Sequence, residues 1–205
     1  MKPSSYPLVF FARFFHYPFV PSNKRQTVRI ISGKWKRRKL VVMEAEGLRP
    51  TLDRVRESLF NWLNLEISGA RVLDLYAGTG ALGFEALSRG ASQATLVDSN
   101  AQVTAELERA AADLDASATI VCGDATSWLE RQAESWDIVF LDPPFENQQY
   151  QKILDLLHQR LEANALVYLE RPRQTELEHP KYEIWKRAVA GEVSFALLRP
   201  RTLCL

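Results

Sequence analysis

An apolar stretch of the sequence ends in an aspartate that is followed by two prolines and a phenylalanine. Residues 139–141 precede Asp142, and Pro143, Pro144 and Phe145 follow it. Proline has no N–H, so this segment offers hydrogen-bond acceptors and few donors. The Asp142 carboxylate and the Pro143 carbonyl could accept both N–H bonds of an exocyclic amine on a nucleobase and turn its lone pair toward an electrophile. Because Phe145 could stack on the base, the pattern predicts group transfer to the amino group of a flat base. A rigid turn alone would explain the prolines but not the aromatic residue.

A glycine-rich segment is suited to hold a nucleotide-like cofactor. Gly78, Gly80 and Gly83 satisfy the pattern G-x-G-x-x-G, and Asp98 follows Gly78 by 20 residues. Such glycines let the backbone approach a ligand closely, and Asp98 could accept both ribose hydroxyls of an adenosine. Taken alone, the pattern equally suits a nicotinamide-dependent enzyme. A lysine paired with serine or threonine does not follow the glycines, which excludes a P-loop.

Four aspartates are expected just after successive strands: Asp74, Asp98, Asp124 and Asp142. One such aspartate would be an ordinary turn former. The carboxyl ends of parallel strands meet at one edge of a sheet, where ligands bind. We therefore expect all four at that edge, with Asp124 and the backbone N–H of Ala125 binding an adenine edge.

The elements that would position these residues alternate between strand and helix from residue 71 onward. Successive βαβ units predict a parallel sheet with helices on both faces, closed by an antiparallel pair. The predicted strands are 71–76, 94–97, 119–122, 138–141 and 165–169, the predicted helices are 81–89, 101–114, 126–134 and 150–161, and the closing pair is 182–189 with 192–198. Before them the pattern predicts a small β-hairpin from 28–32 and 40–42 with its turn at Gly33 and Lys34, and a helix over 52–63 with Thr51 as a possible cap.

Charge divides the chain into two unlike parts. Residues 1–56 contain 13 lysines and arginines against 3 acidic residues, whereas residues 57–205 contain 13 against 22. This asymmetry predicts that the N-terminal part contacts a polyanion, with a solvated basic face as the alternative. The densest group consists of Lys24, Arg25, Arg29, Lys34, Lys36, Arg37, Arg38, Lys39, Arg49, Arg54 and Arg56.

The overall composition is that of one soluble globular domain. The chain has 205 residues, 46% hydrophobic and 25% charged, which excludes a disordered chain. It has no run of 18 uncharged apolar residues, so we expect no membrane span. Cys122 and Cys204 cannot make a disulfide framework, so we expect a reducing cytoplasm. The three histidines are scattered singly, so we expect no metal site.

The first 26 residues are predicted to lie outside the fold. Phenylalanines and tyrosines crowd this segment between four prolines, without a helical or alternating period. Arg13 interrupts the apolar run and no small-residue cleavage site follows, which argues against a signal peptide. We expect a disordered extension at 1–26, a basic hairpin at 27–50 and the main domain at 51–205. Stacking of the aromatic residues on bases is the open alternative for the extension.

Two sets of motifs resemble known enzymes. Residues 74–83, taken with Asp142, Pro143, Pro144 and Phe145, are similar to class I S-adenosylmethionine-dependent methyltransferases that act on amino groups. The segments at 29–35 (RIISGKW) and 47–57 (GLRPTLDRVRE) closely resemble the RsmD family, the bacterial 16S ribosomal RNA guanine-N2 methyltransferases. This resemblance runs from about residue 27 to residue 200.

The resemblance implies a class I Rossmann-like α/β fold, S-adenosylmethionine as the cofactor, and methylation of the guanine 966 type in 16S ribosomal RNA. The implied partner is that RNA, within a 30S particle, and we expect a monomeric protein. The cofactor would be held by Asp74, Ala77, Gly78, Gly80, Asp98, Asp124 and Ala125, with Arg49 and Thr51 near its methionine end. The target amine would be held by Asp142, Pro143, Pro144 and Phe145. The predicted RNA-binding residues are Arg29, Lys34, Lys36, Arg37, Arg38, Lys39 and Arg54.

One chemical point favours guanine over adenine. An ionised aspartate only accepts hydrogen bonds, and guanine presents two adjacent donors, N1–H and N2–H, that Asp142 could bridge. The alternatives are a DNA adenine-N6 or cytosine-N4 methyltransferase, a hydride-transferring nicotinamide enzyme, and a non-catalytic RNA-binding assembly factor. The residues leave open whether free RNA or the assembled small subunit is the substrate.

Overall fold

Nine strands and five helices make up the part of the chain that the computed structural model describes, residues 26–42, 53–143, 150–175 and 177–201. The strands are β1 (Thr27–Arg29), β2 (Lys39–Val41), β3 (Arg71–Leu75), β4 (Gln93–Asp98), β5 (Ala118–Cys122), β6 (Trp136–Leu141), β7 (Leu161–Pro172), β8 (Tyr182–Ala190) and β9 (Val193–Pro200). The helices are α1 (Asp53–Trp62), α2 (Ala81–Ser88), α3 (Ala101–Leu114), α4 (Ala125–Glu130) and α5 (Tyr150–Leu157), and a 3-10 helix spans His158–Arg160.

Seven of these strands form one mixed sheet in the order β5-β4-β3-β6-β7-β9-β8. The strands β3 to β7 are parallel to one another, and β9 is antiparallel to both β7 and β8. The predicted fold, a mostly parallel sheet with a closing antiparallel pair, is confirmed. The chain runs outward from β3 to β5 and then returns to the other side of β3 with β6. Ligands bind at such a reversal, at the edge where the parallel strands end; we call it the carboxyl edge.

Both faces of the sheet are buried, which explains why the central strands are almost continuously apolar. Consecutive residues of β6 show this, because Phe140 packs with Phe60 and Tyr168 on one face while Leu141 joins the cluster of Ile153 on the other. The first face carries the hairpin and helices α1, α2 and α3, and the second carries α4 and α5. No helix of the described segments is long and apolar enough to cross a membrane.

The predicted β1–β2 hairpin forms and packs onto the C-terminal end of α2, but its loop extends beyond the turn predicted at Gly33 and Lys34. The strands pair from Thr27 opposite Val41 to Arg29 opposite Lys39, and a longer loop joins them. The loop is drawn onto α2 because the Lys34 amide donates to the Ser88 carbonyl at 2.8 Å. Gly33 has φ 80°, and a Cβ there would lie 1.8 Å from the same carbonyl oxygen. Only glycine fits this contact.

Two α-helices end four residues earlier than the sequence predicts. The helix expected at 126–134 is α4, which begins at Ala125 because Asp124 caps its first turn, and which ends at Glu130. The α-helix expected to reach residue 161 ends at Leu157 and continues as the 3-10 helix His158–Arg160. There the Arg160 guanidinium donates to the Leu156 carbonyl at 2.7 Å, and β7 starts at Leu161. The Arg160 side chain thus satisfies one of the carbonyls that the end of the helix leaves without an intrahelical partner.

Candidate active site

The strand order brings three of the four aspartates to the carboxyl edge. Asp98 is the last residue of β4, Asp142 follows the last residue of β6, and Asp124 precedes α4. Asp74 instead lies inside β3, one residue before the strand ends, and it is 2% exposed. The prediction that all four would follow a strand and line this edge is therefore wrong for Asp74.

Asp74 is buried beneath the glycine-rich segment and is bonded to the helix that follows it. Its carboxyl oxygen Oδ2 accepts a hydrogen bond from the Gly83 amide at 2.9 Å, which ties the first turn of α2 to β3. Burial raises the pKa of Asp74 to about 8, although the Gly83 hydrogen bond opposes this rise and the nearby Asp98 carboxylate adds to it. The group is thus largely protonated at neutral pH. Its assignment to cofactor binding stays a prediction.

The loop from Ala77 to Gly80 is held by hydrogen bonds that its backbone amides donate to residues of β4. The Ala77 amide donates to the Val97 carbonyl at 3.0 Å, and the Gly78 amide donates to Asp98 Oδ2 at 3.0 Å. Gly80 starts α2 with φ 70°, where a Cβ would lie 2.6 Å from the Phe84 ring. The N-cap residue Gly80 has no side chain to cap α2, and Asp74 accepts from the Gly83 amide of the first turn. The positive end of the helix dipole is directed at the carboxyl edge.

Asp98 and Asp124 are both available to a ligand at this edge. Asp98 is half-buried, and its two oxygens accept from the amides of Gly78 and Asn100. Each carboxylate oxygen has a second lone pair, so hydroxyl groups of a ligand could still bind. Asp124 is exposed and accepts from the Ser127 amide at 2.8 Å, which lowers the pKa of Asp124 and keeps it ionised. The adjacent Ala125 is the buried first residue of α4.

Asp142 lies beside a buried pair on β7 that the sequence analysis missed. The last paired residues of β6 and β7 are Leu141 and Leu169, so Asp142 and Glu170 follow side by side. The Tyr168 hydroxyl donates to Glu170 Oε1 at 2.5 Å. Burial first, then the Glu170 and Asp142 carboxylates, raise the pKa of Tyr168 and keep it protonated. The available signal was an acidic residue after the apolar run 165–169.

Tyr76 is a second residue that the sequence analysis missed. It follows β3 with φ 65°, between β4 and β6, whose last paired residues are Val97 and Leu141. The Tyr76 and Thr126 hydroxyls are buried close to each other, and neither has a further hydrogen-bond partner among the described residues. Burial and the Asp124 carboxylate raise the pKa of Tyr76. The signal for this residue was an aromatic side chain beside the glycine-rich loop.

Four predicted site residues, Arg49, Thr51, Pro144 and Phe145, lie outside the described residues. Pro143 is described, and it is buried beside Asp142.

The predicted RNA-binding residues share one property, exposure to solvent. These residues are Arg29, Lys34, Lys36, Arg37, Arg38, Lys39 and Arg54, and we call them the basic hairpin surface. Arg56, which belongs to the same dense group in the sequence, is fully buried and donates to the Arg29 carbonyl and to Asp53. Arg56 therefore does not contribute to a basic face. The hairpin loop lies at the end of α2 opposite to the glycine-rich loop.

Comparison with solved structures defines the class of fold. The chain superimposes on SMU.776, a putative methyltransferase complexed with SAH, with a TM-score of 0.63 over 78% of this chain and 52% of that one. At 17% identity this likeness concerns the fold alone. The architecture is that of the class I methyltransferases, a Rossmann-like α/β fold.

The family follows from closer relatives. A family model described as Conserved hypothetical protein 95 matches residues 28–199. The chain is 42% identical over 175 residues to ribosomal RNA small subunit methyltransferase D of Escherichia coli strain K12, which covers 83% of this chain and 88% of that protein. The solved structure of the putative methyltransferase yhhF from Escherichia coli is 40% identical, with a TM-score of 0.78 over 86% of this chain and 99% of that one. The chain belongs to the RsmD family.

Proposed function

We propose that this protein transfers a methyl group from S-adenosylmethionine to the exocyclic N2 amine of a guanine in 16S ribosomal RNA. One observation carries the proposal: two candidate binding groups flank the end of β3. On the β4 side the Gly78 amide donates to Asp98, and on the β6 side Asp142 follows the strand. The relative in Escherichia coli is named as a ribosomal RNA methyltransferase, and the SMU.776 structure contains SAH. Both support a methyl donor and an RNA acceptor.

The residues at the carboxyl edge fit the proposed cofactor. Asp98 is positioned by two amides and retains lone pairs for ribose hydroxyls, and Asp124 is held ionised beside the Ala125 amide. The buried hydroxyls of Tyr76 and Thr126 add polar groups near Asp124. S-adenosylmethionine would supply a methyl group already activated by the positive charge on sulfur. The protein then has to orient the two reactants, which is where most of the catalysis would arise.

Asp142 would orient the target amine. Its carboxylate accepts hydrogen bonds from the base, so the N2 lone pair is directed toward the methyl carbon. The new N–C bond forms as the S–C bond breaks, and the excess proton on N2 passes to water. Guanine offers N1–H and N2–H to one carboxylate, whereas an adenine offers a donor beside an acceptor. The target nucleotide has to leave its base stack to reach this edge.

The basic hairpin surface would bind the RNA backbone. Six of its seven residues lie in the hairpin, and all seven are exposed. Phosphate contacts of this kind position a nucleic acid without reading its sequence. We further propose that the protein acts as a monomer in the cytoplasm, with the 30S particle as its substrate.

The experiment compares tritium transfer from labelled S-adenosylmethionine to 30S particles, free 16S RNA and duplex DNA. We expect label in RNA, recovered as N2-methylguanosine and mapped to guanine 966 by mass spectrometry of nuclease fragments. Label in DNA would support the DNA methyltransferase alternative instead. Calorimetry of cofactor binding tests the non-catalytic alternative, because an assembly factor without a cofactor site would give no heat.

A further inference from the structure

A buried arginine near the carboxyl edge has no counter-charge among the described residues. Arg171 is the second-to-last residue of β7 and is 1% exposed. Its Nε, Nη1 and Nη2 atoms have no hydrogen-bond partner among the described residues. A buried guanidinium without a partner is costly, because the charge has lost its hydration without gaining a replacement. A group of this kind is suited to an oxyanion, which its planar fork can bind with two parallel hydrogen bonds.

A buried hydroxyl lies directly across from it. Ser194 of β9 is paired with Arg171 in the antiparallel ladder, so their side chains project from the same face of the sheet. Ser194 is 0% exposed, and its Oγ also lacks a hydrogen-bond partner in the described part of the chain. Two unsatisfied polar groups at one cross-strand position therefore point to a shared missing ligand.

The surroundings are positive. Burial and the Arg187 guanidinium both lower the pKa of Arg171, and the Tyr150 hydroxyl opposes them. Arg187 lies on β8 opposite Ala196, next to the Arg171–Ser194 pair. On β7 the side chains alternate between faces, so Arg171 projects toward α5 while Glu170 projects toward the Tyr168 side. The acidic group nearest in sequence is thus directed away from the guanidinium.

We propose that Arg171 and Ser194 form an oxyanion site that holds a phosphate of the RNA strand beside the methylated nucleotide. The site lies one strand from Asp142 at the same edge, so a phosphate there would anchor the strand whose base enters the active site. The identification of the ligand as an RNA phosphate rests on the proposed function. The binding of an oxyanion by Arg171 and Ser194 does not depend on it. The same donors would also take inorganic phosphate, and the experiment separates the two sources.

The first arm uses inorganic phosphate alone and measures the melting temperature. We expect phosphate to raise the Tm of the parent protein, because a ligand that binds only the folded state stabilises it. Phosphate should change the Tm of Arg171→Met and of Ser194→Ala only slightly. Without phosphate, Arg171→Met should melt several degrees higher than the parent, since it removes an unpaired buried charge. A lower Tm for Arg171→Met, or an equal phosphate shift in parent and variants, would overturn the oxyanion site. The exposed Arg173→Met is the matched control.

The second arm measures methyl transfer to 16S RNA. Arg171→Met should raise the KM for RNA about tenfold or more, the scale expected for loss of a hydrogen bond to a charged group, with cofactor affinity retained. Arg171→Lys should recover part of the loss, because the charge is kept without the fork. A phosphate response without any effect on RNA would identify a small-anion site and overturn the RNA assignment. Absence of RNA methylation by the parent protein would instead count against the proposed function, while the phosphate arm still decides the site.

Discussion

The carboxyl edge and the basic hairpin surface differ in how firmly hydrogen bonds hold their charged side chains. At the edge, Asp98 is held by two amides, Asp124 by a third and Glu170 by a tyrosine hydroxyl. On the hairpin, Lys34 rests on Trp35 and Arg38 donates to a carbonyl of α3, and both side chains remain exposed. Chemistry at a reacting centre depends on groups fixed before the substrate arrives. Backbone phosphate contacts depend mainly on charge and tolerate mobile side chains.

The largest expected effect comes from the edge. Asp142→Asn keeps the shape of the side chain but presents an NH₂ group where guanine N1–H needs an acceptor. We expect methyl transfer to 16S RNA to fall about 10²–10⁴-fold, with cofactor affinity by calorimetry unchanged.

The matched control for Asp142→Asn is Asp115→Asn, at an exposed left-handed C-cap of α3 where asparagine is well tolerated. Near-parent rates for Asp142→Asn would show that Asp142 does not bridge two donors of the base.

The second effect concerns the buried support of the edge and is measured as stability. Because the pKa of Asp74 is raised from 3.8 to about 8, the unfolded chain loses this proton near pH 4 and the folded protein keeps it until about pH 8. Stability should therefore fall as the pH rises through that window, by on the order of several kcal/mol.

Asp74→Asn removes this dependence, since asparagine cannot ionise and its oxygen can still accept from Gly83. Urea unfolding at pH 5 and pH 8 measures the difference. An equal pH dependence in the parent and in Asp74→Asn would show that Asp74 is ionised in the fold.

The third effect tests whether the proposed cofactor-binding residues of the edge act separately from the proposed catalytic residue Asp142. Asp98→Ala removes an acceptor for the ribose and also releases the Gly78 amide, so S-adenosylmethionine binding should weaken by about 1.5–3 kcal/mol. Asp98→Asn, which can still accept from Gly78, should lose less. Unchanged affinity for Asp98→Ala in a titration would remove the ribose assignment.

The smallest effect per residue is expected on the hairpin. Replacing Lys36, Arg37, Arg38 and Lys39 by alanine should weaken RNA binding and flatten its salt dependence by up to about 0.7–0.9 per lost phosphate contact. Cofactor affinity should hold, because these side chains are exposed and lie at the far end of α2. If RNA affinity depends on salt concentration as steeply in the variant as in the parent, these residues form only a solvated basic face.

Local patterns predicted the sheet and most of the edge. Apolar runs followed by an acidic residue are enough to place Asp98 and Asp142, because a parallel strand carries its last residue to a known edge. Arg56 was assigned to the basic group from composition, yet Leu59, Phe60 and Leu63 follow it at helical spacing and mark its burial. The Arg171–Ser194 pair could not be found in this way, because it depends on the register between two strands more than 20 residues apart. The charge pattern predicted only a polyanion, and the family resemblance identified that polyanion as RNA.

The short helix α2 has a consequence for the size of the substrate. Its first turn follows the glycine-rich loop. In its last turn, the Ser88 carbonyl accepts a hydrogen bond from the Lys34 amide of the hairpin. Eight residues at 1.5 Å per residue make a rod of about 12 Å. An RNA that contacts the hairpin loop and also presents a base at the carboxyl edge has to extend over at least this length. With the proposed RNA substrate, this length would disfavour isolated nucleotides and very short oligomers, whatever their sequence.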